Sequence, residues 1–225
     1  MFAALWLSAG IAAAQPADTE EDWVLPQREL LRREIRYARA LVPELHSKLG
    51  VIAELGDRAR AGGLSPEDAD ALRILRYLAG EGTITLKRGP VAAARGFPEA
   101  RRASCEVLGL VGGDAAREIL LEVLKTEPQP MVLAEAAFAL GKITPEPRDD
   151  ITALFRYLLE TKVLVPGADN NLAMALLATL DKFADSRAGI RDEDLFRCLM
   201  RIPDAPLLPA IRQKARALIE KMKGF

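Results

Sequence analysis

A short pattern recurs at the ends of two helical segments in the middle of the chain. Val107-Leu108-Gly109 matches Ala139-Leu140-Gly141, so the two glycines are 32 residues apart. A third amphipathic segment, Asp114–Leu124, lies between them. A unit of two helices repeated at this interval buries its apolar faces only by stacking on its neighbours. The repeat therefore predicts an all-α fold, an α–α superhelix or solenoid.

Further helix pairs with the same plan follow this central unit. The predicted helices after Pro98 are 98–109, 114–124, 131–142, 150–160, 170–182, 192–201 and 206–222. First helices align on Leu120, Leu154 and Leu195, and second helices on Leu108, Leu140 and Leu180. Small residues one turn before these leucines, Ser104 and Ala136, favour close approach of neighbouring second helices. We expect the leucines to form the core and Ala136 to face a neighbouring helix.

Two stretches of this region carry a family resemblance. Leu133–Ile143 (LAEAAFALGKI) and Arg101–Gly112 (RRASCEVLGLVG) resemble the HEAT repeat, in particular the alanine-rich kind whose second helix ends Ala-Leu-Gly. The resemblance covers residues 90–182 well and residues 183–225 loosely. It implies a curved stack whose second helices line a concave surface and hold a protein or peptide. Related repeats occur in bilin lyases, so a lyase-like or other ligand-handling protein is an alternative.

The region before the repeats, residues 27–89, is also predicted to be helical. An apolar seam at steps of four and three residues runs along it: Leu31, Ile35, Ala38, Val42, Leu45, Leu49 and Ile52. Pro43 divides it into two helices, Gln27–Leu41 and Pro43–Ala61. A third helix is predicted to start at Ser65, as N-cap before Pro66. We expect the seam to cap the end of the solenoid at residues 90–225, with a coiled-coil dimer as the alternative.

The first 26 residues are predicted to serve export. Phe2–Ala14 is continuously apolar or small, too short to span a membrane, and ends in the small residues that signal peptidase accepts. Residues 1–14 are therefore predicted to be a signal peptide and residues 15–26 a polar linker. This predicts a periplasmic or otherwise exported protein. The alternative is a cytoplasmic protein with an apolar N-terminus.

The first predicted helix carries a basic stripe beside its apolar seam. Its members are spaced four, four and three residues apart: Arg28, Arg32, Arg36 and Arg39. One interpretation is contact with an anionic envelope or membrane surface, which would make the chain an envelope-associated structural protein. The other is an ordinary solvated face with ion pairs to Glu29 and Glu34.

Residues typical of catalysis are scarce. The chain has one histidine, His46, and contains no zinc-protease, nucleophile-elbow or phosphate-loop motif. Cys105 and Cys198 are spaced for neither a zinc site nor a disulfide framework. A net charge of −1 does not favour a nucleic-acid partner. We therefore expect no catalytic residue, metal or cofactor, and a non-enzymatic interaction scaffold.

The alignment of the second helices predicts a partner-binding surface. If the aligned leucines are core, positions two and six residues earlier fall on the opposite face of each helix. The predicted binding residues on that face are Arg102, Glu106, Phe138 and Met174. We expect Phe138 to be an apolar anchor, because an exposed aromatic residue beside charged groups is typical of an interface. The alternative is that Phe138 belongs to the core.

Overall fold

The computed structural model describes residues 21–83, 96–144 and 146–223. Within these ranges the chain is all-helical and has no β-strand, which confirms the predicted fold class. Its α-helices are α1 (Glu21–Leu41), α2 (Leu45–Arg60), α3 (Ala69–Gly80), α4 (Pro98–Val111), α5 (Gly113–Thr126), α6 (Pro130–Ile143), α7 (Asp149–Leu158), α8 (Asn170–Ala184), α9 (Glu193–Leu199) and α10 (Pro209–Met222). A π-helical turn, Leu159–Val163, extends α7.

The chain divides into two compact units, residues 1–36 and 37–225. The described part of the first unit is the segment of α1 from Glu21 to Arg36. Residues 21–26 of the predicted linker are therefore helical. The predicted signal peptide and residues 15–20 lie outside the described residues, as does the expected boundary between residues 89 and 90.

The second unit is built from two rows of helices. Helices α2, α4, α6, α8 and α10 pack side by side in chain order, and we call them the B row. Helices α3, α5, α7 and α9 form the other row, the A row, in the same order. The chain passes from an A helix to the following B helix at each repeat. This arrangement is an α-solenoid, as the repeat predicts.

Acidic residues and prolines set where these helices begin. Asp68, Asp169 and Asp192 each accept a hydrogen bond from the backbone N–H three residues later, at 2.9–3.0 Å. The N-cap predicted for the third helix is wrong: α3 begins at Ala69, and Ser65 lies in the preceding turn. The reason is that Asp68 satisfies the free N–H groups, leaving Ser65 to accept from the backbone of Glu67.

The predicted core is largely confirmed. Leu108, Leu140 and Leu180 have no exposed surface, and Ser104 and Ala136 are equally buried. Among the first helices, Leu120, Leu195, Leu124, Leu158 and Leu199 are buried. Leu154 is half-buried, packed at the edge of the core.

The repeated glycines lie inside their helices rather than at the ends. Helices α4 and α6 continue two residues beyond Gly109 and Gly141, which corrects the predicted helix ends. A Cβ on Gly109 would lie 2.9 Å from the Cβ of Ala139, and one on Gly141 would lie 2.8 Å from Oγ1 of Thr179. Each glycine therefore marks a close crossing between adjacent B helices, where a side chain has no room.

Helix α2 also contains a glycine at a close crossing with the next B helix. A Cβ on Gly56 would lie 3.2 Å from Cγ2 of Val107 on α4. Leu55-Gly56 thus occupies the position of Leu108-Gly109, and α2 is a B helix that covers the end of the row. The sequence signal is the same Leu-Gly pair, but its distance from the next copy is longer than one repeat.

The two halves of the predicted apolar seam differ in burial. In α2 Ile52 is buried and Leu45 is half-buried against the core, as expected for a packed helix. In α1 Leu31 and Ile35 are 60% and 48% exposed. The expectation that the whole seam is buried is therefore wrong for its first half.

Candidate partner-binding surface

The face of the B row that points away from the A row carries exposed apolar side chains. Phe138 on α6 is 37% exposed, so it is not a core residue. Met131, two helical turns earlier on the same face of α6, is 45% exposed. Met174 on the adjacent helix α8 is half-buried against the core. Because α6 packs between α4 and α8, these side chains lie at the centre of the row.

Two ion pairs cross between neighbouring B helices on this face. Arg102 Nη1 lies 3.5 Å from Glu135 Oε2, and Arg60 Nη2 lies 3.8 Å from Glu106 Oε1. Arg102 and Glu106 are therefore each paired with a residue outside the predicted binding set. Burial raises the pKa of Glu135; Glu106 adds to this, while Lys142 and Arg102 oppose it. Pairs this exposed contribute little stability.

The neighbouring arginine, Arg101, has a different environment. It is 5% exposed, and its Nε and Nη2 donate to the two carboxylate oxygens of Glu127 at 2.7 and 3.1 Å. Glu127 also accepts from the backbone N–H of Gln129 at 2.8 Å, and Arg101 donates to the carbonyl of Glu81 at 3.3 Å. This bidentate pair ties α4 to the turn between α5 and α6. Arg101 is thus structural, and Arg102 belongs to the surface.

A second buried cation lies near the start of the solenoid. Lys48 has no exposed surface, and its Nζ donates to the carbonyl of Ala40 at 2.8 Å and to Glu81 Oε1 at 2.9 Å. The hydroxyl of Tyr77 donates to the same carboxylate oxygen at 3.3 Å. Burial, and then Glu81, raise the pKa of Tyr77. Tyr77 and Glu81 also line a cavity of about 410 Å³ between α3 and α5, together with Val123 of α5.

In the last repeats an aspartate replaces the glycine of the close crossing. Asp181 on α8 accepts hydrogen bonds from Lys214 and Lys221 of α10, the latter at 2.6 Å. Burial alone would raise the pKa of Asp181, but these two lysines hold it below its ordinary value of 3.8. The carboxylate therefore links α8 to α10 where Gly141 has direct van der Waals contact with the next helix.

The arginine stripe keeps three of its four members at the surface. Arg28, Arg32 and Arg39 are exposed. Arg36 is only 6% exposed and donates through Nη2 to Glu29 Oε1 at 3.2 Å. The stripe that an anionic surface can reach therefore consists of Arg28, Arg32 and Arg39.

The side chains that could bind a metal or act as nucleophiles include one histidine and two cysteines within the described part of the chain. There, no group of three or more His, Cys, Asp or Glu side chains is placed to hold a metal ion. Burial raises the pKa of the Cys105 thiol, and it raises that of Cys198 to about 11. His46 is exposed. None of the described helices is long and apolar enough to cross a membrane.

Two rows of paired helices with close crossings in one row define the class of protein, an α-solenoid. Residues 88–165, which contain the helices α4 to α7, match the family model of HEAT repeats. The match supports the HEAT-repeat family for this part of the chain, as the resemblance predicts. HEAT repeats are generally protein-interaction scaffolds and typically non-enzymatic. No curated protein and no solved structure matches the chain.

Proposed function

We propose that this protein is a non-enzymatic scaffold or adaptor that holds a protein or peptide on the outward face of its B row. The observation that carries the proposal is the exposed aromatic ring of Phe138 at the centre of that face. Exposed aromatic side chains in a rigid setting are the typical anchors of protein interfaces. Met131 and Met174 extend the apolar area with flexible side chains that fit irregular partners.

Phe138 lies on a rigid helix with a polar border, as an anchor residue of a protein interface does. Its helix is fixed on both sides, since Gly109 brings α4 into close contact with α6, and Gly141 brings α6 into close contact with α8. Such a preorganised surface loses little conformational entropy on binding. The pairs Arg102–Glu135 and Arg60–Glu106 supply a polar border, as the rim of an interface does.

Replacement of Phe138 by alanine tests the proposal. A photo-crosslinking amino acid at position 131 identifies the partner in an envelope extract, and the affinity of that partner is then measured. Phe138→Ala should weaken binding by tenfold or more, since anchor residues contribute 2 kcal/mol or more. The melting temperature should change little, because the ring is already partly exposed.

Tyr157→Ala is the matched control, because this aromatic residue is 56% exposed on the A row. It should leave the affinity unchanged. Equal binding by the Phe138 and Tyr157 variants would exclude the B-row face as the binding surface. A stability loss of about 3–5 kcal/mol on Phe138→Ala would instead show that the buried part of the ring serves packing rather than partner binding.

We further propose that the protein is exported, to the periplasm or otherwise out of the cytoplasm. The support is the apolar run Phe2–Ala14, which has the length of the apolar region of a signal peptide and ends in the small residues that signal peptidase accepts. N-terminal sequencing of the native protein checks this, with Gln15 expected as the first residue. An intact Met1 in the cytoplasmic fraction would contradict export.

A further inference from the structure

Helix α1 exposes apolar side chains that the sequence predicts to be buried. Leu30 and Leu31 are 61% and 60% exposed, and Ile35 is 48% exposed. Leu31 and Ile35 are one helical turn apart and so lie on one line along the helix. Leu30 lies about 100° around the helix from Leu31, with the exposed Glu34 between them. We call the exposed apolar surface of these three leucine and isoleucine residues the apolar stripe.

Two exposed arginines of α1, Arg28 and Arg32, border the Leu31–Ile35 side of this stripe. Arg28 and Arg32 fall about 60° and 100° around the helix from Leu31, on the side opposite Leu30. Between Gln27 and Leu41 the sequence has five arginines and two glutamates, so this part of α1 carries an excess of positive charge. The apolar and basic stripes therefore run side by side along the same helix.

We infer that α1 is an interfacial helix that docks on the surface of an anionic lipid bilayer. Its apolar stripe enters the boundary between headgroups and acyl chains, and its arginines contact the lipid phosphates. Arginine suits this contact because its guanidinium group donates two parallel hydrogen bonds to a phosphate. This inference concerns α1 alone and is independent of partner binding on the B row.

A bilayer fits this surface better than a second copy of the chain. A coiled-coil seam is narrow and is sustained over several heptads. The exposed stripe of α1 covers fewer than two heptads, and Leu30 makes it wider than such a seam. The binding of an interfacial helix depends on its buried apolar area together with the attraction of its cations to anionic lipids.

Flotation of the full chain with lipid vesicles tests the inference. The probes are vesicles of phosphatidylcholine and vesicles in which three parts in ten are phosphatidylglycerol. We expect binding to the anionic vesicles that weakens with salt, and at least tenfold weaker binding to the neutral ones. Leu31→Ser/Ile35→Ser should lower binding to anionic vesicles at least tenfold, because both side chains lose their apolar contact with the bilayer.

Charge variants separate the stripe from net charge. Arg28→Glu/Arg32→Glu should reduce binding by about 25-fold or more, at about fivefold for each arginine. The control Arg187→Glu/Arg191→Glu changes the net charge equally at exposed positions outside α1 and should bind as the wild type does.

Several outcomes would overturn the inference. They are failure of the full chain to float with anionic vesicles, equal loss of binding in the two charge variants, and binding that survives Leu31→Ser/Ile35→Ser. If light scattering shows that the wild type is a dimer and that Leu31→Ser/Ile35→Ser is a monomer, the stripe binds a second copy of the chain instead. Circular dichroism of each variant checks that the helices are intact. None of these results alters the effect of Phe138→Ala on partner binding.

Discussion

The close crossing of α6 and α8 yields a prediction about a single methyl group. Gly141→Ala places a Cβ 2.8 Å from Oγ1, 3.0 Å from Cγ2 and 3.3 Å from Cβ of Thr179. Thr179 is 1% exposed, and its hydroxyl donates to the carbonyl of Ala137 at 2.9 Å. The threonine has no solvent to move into, so either the helices separate or its hydrogen bond breaks.

The expected loss of stability follows from opposing effects. Alanine is more favourable than glycine inside a helix by about 1 kcal/mol. Overpacking a buried contact costs about 1–3 kcal/mol, and loss of the Thr179 hydrogen bond costs about 1 kcal/mol. The net effect of Gly141→Ala should be a loss of about 1–3 kcal/mol. In a chain of this size that lowers the melting temperature by about 2–12 °C.

Thermal unfolding followed by circular dichroism measures this shift. Gly80→Ala is the matched control, since a Cβ at that helical glycine meets nothing within 4 Å, and it should be neutral or stabilising. Thr179→Ala removes the two closest atoms, so it should be less harmful in the Gly141→Ala background than alone. A Gly141→Ala protein that melts at or above the wild-type temperature would refute the steric explanation of the repeated glycine.

Three further predictions concern ionisable groups. Arg101→Met should lower the free energy of unfolding in urea by about 3–5 kcal/mol, because it leaves the Glu127 carboxylate buried without a cation. Arg102→Met should lower it by less than about 1 kcal/mol. Equal losses would contradict the structural role of Arg101. Two lysines lower the folded-state pKa of Asp181, so its stabilisation is present above pH 3.8 and is lost as the pH falls towards the folded-state value. Asp181→Asn should therefore flatten the acid limb of the stability profile, and an unchanged profile would argue against it. Both cysteine thiols are buried with raised pKa values, so a disulfide reagent at pH 8 should modify them only after denaturation; rapid labelling of the native protein would show otherwise.

The repeat, the helices and most of the core were readable from the sequence because they depend on local periodicity. Apolar residues at helical spacing predicted the buried positions Leu108, Leu140 and Leu180. The positions of the helix ends did not follow from this periodicity, because a Leu-Gly pair is typical of a helix end, whereas here it lies inside the helix. A glycine inside a helix and a glycine after it look alike until the neighbouring helix is seen.

For the candidate surface, too, one part was predictable from the sequence and another part depended on packing. The alignment of second helices predicted that Phe138 points outward, and its 37% exposure agrees. The sequence placed Arg102 on the outward face but did not predict the buried ion pair of Arg101. The carboxylate that buries Arg101 belongs to Glu127, 26 residues away, and only the packing of α4 against the next turn brings them together.

The sequence by itself determined which residues are helical and which face of each helix is apolar. Only the tertiary structure decided which apolar faces are covered. Ile52 and Ile35 lie on one seam, yet Ile52 is 3% exposed and Ile35 is 48% exposed. The physical reason is that burial requires a neighbouring surface: helix α2 packs beside α4, whereas the stripe of α1 lies open to solvent.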